Sequence, residues 1–267
     1  MTVREALAAA AARLAPFSET ARLDADLLMA HALGVSREDL LLLHADAAAP
    51  DAFERLIARR LGREPVAYIL GRRAFWTIEL EVGPGVLVPR PDSESLIEAA
   101  VAHFGERGPR RILDLGTGPG TLLLAALDQW PEATGIGVDA SEQALTYARR
   151  NSGPRAEFRL GDWGAGIDER FDLVLCNPPY VEAGAVLAAD VADWEPDVSL
   201  YAGPDGLEAY RVIAPQLRRL LAPGGIFCLE IGMGQGPAVR EILAGEGFAA
   251  RSRNDLNGVE RCLIVTG

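Results

Sequence analysis

The stretch Ile112-Leu113-Asp114-Leu115-Gly116-Thr117-Gly118-Pro119-Gly120-Thr121 decides how the rest of the chain is read. Four residues rich in branched apolar side chains predict a buried strand. Three glycines at alternate positions predict a loop whose backbone takes dihedrals closed to other residues and lets a ligand come near. The apolar run from Thr121 to Gln129 then predicts a helix whose first amides face the loop and favour negative groups. Strand, glycine loop and helix make the first unit of an open α/β sheet, and such sheets bind ligands beyond the carboxyl ends of their strands.

The pattern repeats downstream. Strands are expected at 135–138, 158–160, 171–176 and 225–231, with helices at 141–150, 207–221 and 235–244. The final strands, near 249–252 and 261–265, have no helix between them, which makes the last one antiparallel. The fold class is therefore α/β, a doubly wound Rossmann-like sheet. Upstream, residues 3–14, 21–33 and 53–61 have helical spacing. Ser18 and Glu19 read as a start signal for the second of these runs, and Gly34 as its stop. Residues 75–91 alternate instead, around a turn expected at Gly83-Pro84-Gly85, and Asp92 or Ser93 is expected to cap a helix at 96–104. This divides the chain into a helical domain (1–71), a β-hairpin linker (72–91) and a sheet domain (92–267).

Composition sets the outer limits. The chain has 267 residues and a formal net charge of −12. That balance disfavours a nucleic acid backbone as the main partner. No apolar run reaches the roughly 20 residues that span a bilayer, and the start lacks the layout of a signal peptide, so a cytoplasmic protein is expected. Cys176, Cys228 and Cys262 are far apart in apolar runs and read as buried thiols, with no metal spacing. No long exposed apolar helix is evident, so a monomer is expected.

Candidate ligand residues follow the strands. Asp114, Gly116, Thr117, Gly118, Pro119 and Gly120 form the loop. Thr121 stands where a dinucleotide fingerprint has its third glycine, which argues against a nicotinamide cofactor. Asp139 ends the second strand, where a carboxylate accepts from both ribose hydroxyls. Asp162 and Trp163 follow the third strand and suit an exocyclic amine and a purine face. Asn177-Pro178-Pro179-Tyr180 ends the fourth. The Asn177 carbonyl and the Pro178 backbone carbonyl can each accept one N–H of a planar NH2 group, whether amide or aromatic amine. Their pull turns the nitrogen lone pair toward an activated methyl group and favours the positive charge that develops there. Two prolines stiffen the turn, and Tyr180 offers a flat face.

Taken together, these residues resemble the S-adenosylmethionine-dependent amino-methyltransferases, whose loop of this type is shared with DNA adenine-N6 methyltransferases. More of the chain is similar to one branch, the HemK/PrmC family. The matching segments are Arg63-Glu64-Pro65-Val66-Ala67-Tyr68-Ile69-Leu70-Gly71, Phe75-Trp76, Val88-Pro89-Arg90-Pro91-Asp92-Ser93-Glu94, Glu195-Pro196, Gly203-Pro204-Asp205-Gly206-Leu207 and Asp255-Leu256-Asn257-Gly258-Val259-Glu260-Arg261. Ser93 departs from the threonine more usual there, and Pro119 lies inside the glycine loop. The resemblance implies S-adenosyl-L-methionine as cofactor. It implies methylation of the glutamine N5 in the Gly-Gly-Gln motif of class 1 peptide chain release factors, with the helical domain docking the factor. By position, the glycine loop, Asp139, Trp163 and Asn177 would bind cofactor, and Asn177 to Tyr180 would hold the glutamine. A ribosomal-protein glutamine methyltransferase is the nearest rival. A DNA adenine methyltransferase would need a basic recognition region that the charge disfavours.

Overall fold

Residues 1–267 are described by a computed structural model, in which the chain forms two compact units, Met1–Arg72 with Leu187–Trp194 and Arg73–Val186 with Glu195–Gly267. The first unit holds α1 (Val3–Leu14), α2 (Ala21–Leu33), α3 (Arg37–Leu43), α4 (Asp51–Leu61) and α5 (Val66–Leu70). Val3, Leu7, Leu14, Leu28, Met29, Phe53 and Ile57 form its core. The start of α2 departs from expectation. Ser18 does not cap it; Ser18 and Thr20 hydroxyls donate instead to the two oxygens of Asp24, a buried carboxylate inside the helix. Arg60 Nε donates to the same Asp24 at 3.0 Å. A charge inside a helical core thus has three donors around it, which is the condition for burying it at all.

A two-stranded hairpin follows, β1 (Arg72–Phe75) and β2 (Ile78–Glu81), and all of it after Arg72 belongs to the second unit. Its turn is Trp76-Thr77, not Gly83-Pro84-Gly85. Trp76 takes a left-handed φ of 53°. That conformation costs a non-glycine residue roughly 1–2 kcal/mol. Three bonds hold it: Trp76 N–H donates to Glu94, its indole N–H to Gln129, and the Thr77 hydroxyl to Asp128. Gly83-Pro84-Gly85 does form a turn, but a separate one beyond β2: Val86 N–H donates to the Gly83 carbonyl, and Gln143 Nε2 donates to the Pro84 carbonyl.

After a 3-10 turn (Pro91–Ser93) come α6 (Glu94–Phe104), β3 (Arg111–Leu115), α7 (Thr121–Gln129), β4 (Thr134–Asp139), α8 (Glu142–Asn151), β5 (Ala156–Leu160) and β6 (Phe171–Cys176). Neither Asp92 nor Ser93 caps α6 through its side chain. In the first unit's late segment lies α9 (Ala189–Ala192). Then follow α10 (Glu208–Ile213), α11 (Leu217–Leu220), β7 (Leu221–Glu230), α12 (Gly236–Gly245), β8 (Ala250–Asn254) and β9 (Glu260–Thr266). The continuous helix expected at 207–221 is interrupted by a 3-10 turn at Ala214–Gln216, because Pro215 has no N–H for the helical ladder.

The seven strands run in the order β5-β4-β3-β6-β7-β9-β8, parallel throughout except for β9, which is antiparallel to both neighbours. The central strands are buried along almost their whole length, as parallel strands covered on both faces must be. The three cysteines lie in β6, β7 and β9 and are fully buried. The chain passes from β3 to β4 and β5 on one side, then returns to place β6 on the other. The carboxyl ends of β3, β4 and β6 therefore flank the crevice of the sheet. No helix is long and apolar enough to cross a membrane.

Candidate active site

The glycine loop between β3 and α7 is held from beneath. Gly116 and Thr117 N–H groups both donate to the Val138 carbonyl at 2.9 Å, fastening the loop to the end of β4. Asp114 Oδ2 accepts from the Thr117 hydroxyl at 2.6 Å and from Leu123 N–H at 3.2 Å, which ties strand, loop and helix together. Asp114 Oδ1 is buried with no hydrogen-bond partner in the protein. Burial pushes this carboxyl up from 3.8 to about 7, against those two bonds, and the nearby Asp139 charge adds to the rise. Gly118 sits at φ 57°, where a Cβ would meet no heavy atom within 4 Å. Gly120 is different: it is left-handed too, but a Cβ there would stand 2.8 Å from Leu124, so its role is packing against α7.

Asp139 closes β4. Its Oδ2 accepts from Gly118 N–H and its Oδ1 from Ser141 N–H, both at 2.8 Å. Burial raises its pKa, opposed by the backbone N–H groups of Ser141, Gly118 and Ala140. Three backbone donors do not exhaust the four lone-pair sites of a carboxylate, so it can accept from a further donor. Ser141, not Asp139, supplies the side-chain cap of α8. Beyond β5, Trp163 adopts a left-handed φ of 49° and rests against the core of the sheet. Its neighbour Gly164 is pinned on both sides, by Gln216 accepting its N–H and Arg219 donating to its carbonyl.

These parts face one cavity of about 470 Å³, within the size range of small-molecule sites. Asp114, Gly116, Thr117, Gly118, Pro119, Asp139, Asp162, Trp163, Asn177 and Pro179 line it. Gly120, Pro178 and Tyr180 do not. Pro178 is buried, and the Tyr180 hydroxyl donates to Glu230 at 3.4 Å. The Asn177 Nδ2 donates to Ser93 Oγ at 3.0 Å, while neither Asn177 Oδ1 nor the Pro178 carbonyl has a hydrogen-bond partner in the protein.

A group with a ribose, a purine and a cationic tail fits these residues. Asp139 has lone pairs to spare, Asp114 Oδ1 lacks a donor, and the space above Gly118 is clear of protein. A model of the PrmC N-terminal domain matches residues 5–71, and a model of a methyltransferase domain matches residues 109–242. The release factor glutamine methyltransferase of Rhodospirillum rubrum is 43% identical over 258 residues, covering 92% of this chain and 79% of the relative. That of Cereibacter sphaeroides is 43% identical over 275 residues, covering 98% and 97%.

The chain belongs to the release factor glutamine methyltransferase family. It is an S-adenosylmethionine-dependent enzyme, and the cofactor supplies a sulfonium methyl group. Among solved structures, a methyltransferase from Pyrococcus furiosus shares the fold, with a TM-score of 0.54, 20% identity, and coverage of 78% of this chain and 96% of that one.

In this member of the family, three residues near the site escape a reading by motif chemistry. Ser93 is buried and donates to Glu230. Glu230, at the end of β7, is buried and pushed by that burial from 4.5 to about 7. Glu195 accepts from Arg90 and from Val88 N–H, which fixes the segment that lines one side of the cavity. The Ser93 and Glu195 segments carry a family resemblance, but nothing local in sequence points to these contacts, which span more than a hundred residues.

Proposed function

We propose that this enzyme transfers the methyl group of S-adenosylmethionine to the side-chain amide nitrogen (N5) of the glutamine in the Gly-Gly-Gln motif of class 1 peptide chain release factors. The observation that carries the reading is the pair of unused acceptors at the end of β6, Asn177 Oδ1 and the Pro178 carbonyl, with Asn177 lining the same cavity as Asp139 and Trp163. The relatives' names supply the substrate.

An amide nitrogen is a poor nucleophile because its lone pair is delocalised. Asn177 Oδ1 and the Pro178 carbonyl each accept one N–H of the glutamine, hold its NH2 group, and favour the positive charge that develops on nitrogen during alkylation. Pro178 and Pro179, each with φ fixed by its ring, keep the acceptors from relaxing away from the substrate. The alkylated amide nitrogen is strongly acidic and loses its proton afterwards, so no side chain has to act as a base beforehand. Asp139 accepts from the ribose hydroxyls, Trp163 packs on the purine, Asp162 accepts from its exocyclic amine, and the glycine loop with Asp114 receives the charged tail. Residues 1–71 serve as the domain that docks the release factor, 72–91 as linker and 92–267 as the methyltransferase domain. The enzyme works as a monomer in the cytoplasm, without binding nucleic acid directly.

The test is methyl-labelled S-adenosylmethionine offered with purified release factor, ribosomal protein and DNA in separate reactions. Label on the release factor, lost when its Gly-Gly-Gln glutamine is replaced, is the expected result. Label on ribosomal protein or DNA alone would overturn the assignment.

A further inference from the structure

An asparagine side chain can enter a site either way round, and only one way serves amide methylation. With Oδ1 toward the substrate, Asn177 accepts an N–H. Turned by 180°, it would present its own NH2 to the substrate NH2. Something has to choose.

The chain of contacts behind Asn177 makes that choice. Asn177 follows β6, and Glu230 ends the adjacent β7, whose Leu229 is in register with Cys176. Ser93, from the turn before α6, stands between them. Its Oγ is 3.0 Å from Asn177 Nδ2 and 2.5 Å from Glu230 Oε2. Ser93 is only 2% exposed and Glu230 1%, so water does not substitute for either contact. A hydroxyl has one proton. Given to the Glu230 carboxylate, it leaves Ser93 Oγ as an acceptor, and an acceptor must meet the Asn177 NH2. The other oxygen of Glu230 accepts from the Tyr180 hydroxyl. One buried carboxylate thus reaches both ends of the Asn177–Tyr180 turn.

Given the amide-methylating reading above, on which this rests, we propose that Glu230, acting through the Ser93 hydroxyl, is the positioning residue that turns the Asn177 acceptor toward the substrate. Protonation reverses the direction of the relay. A neutral Glu230 carboxyl can donate to Ser93, whose own proton then goes to Asn177 Oδ1, so the unproductive orientation becomes available. Glu230 is raised to about 7, chiefly by burial. Of the groups facing it, Arg261 lowers and Asp92 raises its pKa. Tyr180, Tyr210, Cys176 and Cys262 are all pushed upward and do not lose their protons near neutrality.

The experiment compares wild type with Ser93→Ala, Ser93→Thr and Glu230→Gln. The expected result for Ser93→Ala and Glu230→Gln is a kcat at least about tenfold lower, with cofactor Kd and release-factor KM within about threefold of wild type. Ser93→Thr restores the hydroxyl and recovers kcat to within about threefold. Wild-type kcat rises with pH through about 7, and Ser93→Ala flattens that rise. A readout without turnover is the 15N-resolved side-chain amide signal of Asn177, identified by its loss in Asn177→Ala. Its protons should shift in Ser93→Ala and return in Ser93→Thr, in protein with no substrate present. Folded Ser93→Ala with wild-type kcat, or an Asn177 signal indifferent to Ser93, overturns the relay. Should Glu230→Gln fail to fold, Ser93→Ala decides alone. A wild type that leaves release factor unlabelled defeats the substrate reading instead, and the amide signal still reports on the relay.

Discussion

Gly118 N–H donates to Asp139 Oδ2 at 2.8 Å, so the tip of the glycine loop is carried by the carboxylate that ends the neighbouring strand. Asp139 is therefore both wall and support. Its second oxygen holds Ser141 N–H at the same distance, which sets the entry into α8. The carboxylate is locked in place before any hydroxyl arrives, and a group that does not need to be ordered on binding costs less to use.

Asp139→Ala removes a wall of the cavity and releases Gly118 together. Cofactor Kd should rise at least about tenfold, a loss of about 1.4 kcal/mol or more. Asp139→Asn keeps one acceptor oxygen but cannot take both backbone N–H groups, and should fall between the two. Titration calorimetry on folded variants measures this. A Kd for Asp139→Ala equal to wild type would show that the carboxylate serves the loop alone.

Asp114 predicts a pH dependence with a definite sign. Its folded pKa of about 7 lies above the ordinary 3.8, so between those values the folded state binds more protons than the unfolded one. Stability from this group falls as pH rises through that window, and Glu230 acts in the same direction from 4.5 to about 7. Cofactor binding has the opposite sign. A cationic ligand favours the carboxylate, so affinity should climb as pH rises through neutrality and binding should release protons below it. Calorimetry in two buffers of different ionisation enthalpy counts those protons. None released at pH 6 would mean that Asp114 does not sense the ligand.

The groups with local signatures were legible in sequence, and those joined only by the fold were not. Asn177 to Tyr180 and Gly116 to Gly120 are contiguous, so adjacency alone singles them out as candidates, and Asn177, Pro179, Gly116, Thr117, Gly118 and Pro119 do line the cavity. Ser93 looked like a helix cap because serine before a helix usually is one, yet its hydroxyl is spent on Glu230, 137 residues away. Gly83-Pro84-Gly85 carried the stronger local turn signal, but Trp76 makes the hairpin turn because Glu94 and Gln129 reward its strained backbone. Pro215 was in plain view inside an apolar periodic run, and periodicity alone hid the break it causes. Gly120 has the same place in the pattern as Gly118, but a Cβ there would strike Leu124 of α7 and the residue does not line the cavity.

In the helical unit, Arg60 and Asp24 form a pair with side chains 6% and 8% exposed. Arg60 also donates to the Glu64 carbonyl at 3.3 Å, holding the end of α4. Arg60→Ala leaves Asp24 buried with only Ser18 and Thr20 as donors. The expected cost is about 3 kcal/mol, because an unpaired buried charge is penalised more than the pair was favoured. Urea denaturation reads the loss. In a double-mutant cycle, Asp24→Ala added to Arg60→Ala should cost less than the sum of the single changes. Additive losses would mean that the two charges do not support one another.

Asn177→Ala separates binding from chemistry. The side chain lines the cavity, but its fixed bond is to Ser93 and its unused atom is Oδ1. In the proposed reaction it is one of two acceptors for the substrate nitrogen, and removing it leaves Asp139, Asp114 and the glycine loop intact. Cofactor Kd should stay within about tenfold, about 1.4 kcal/mol. Methyl transfer should fall by about a hundredfold or more, the scale seen when one aligned group is removed from a pre-organised site. Asn177→Asp is the sharper probe. It keeps an acceptor, but it has no NH2 for Ser93 and brings a second carboxylate toward Glu230, so it should not restore turnover. Single-turnover methylation with saturating cofactor measures both variants. Wild-type rates in Asn177→Ala would place the chemistry elsewhere on the turn.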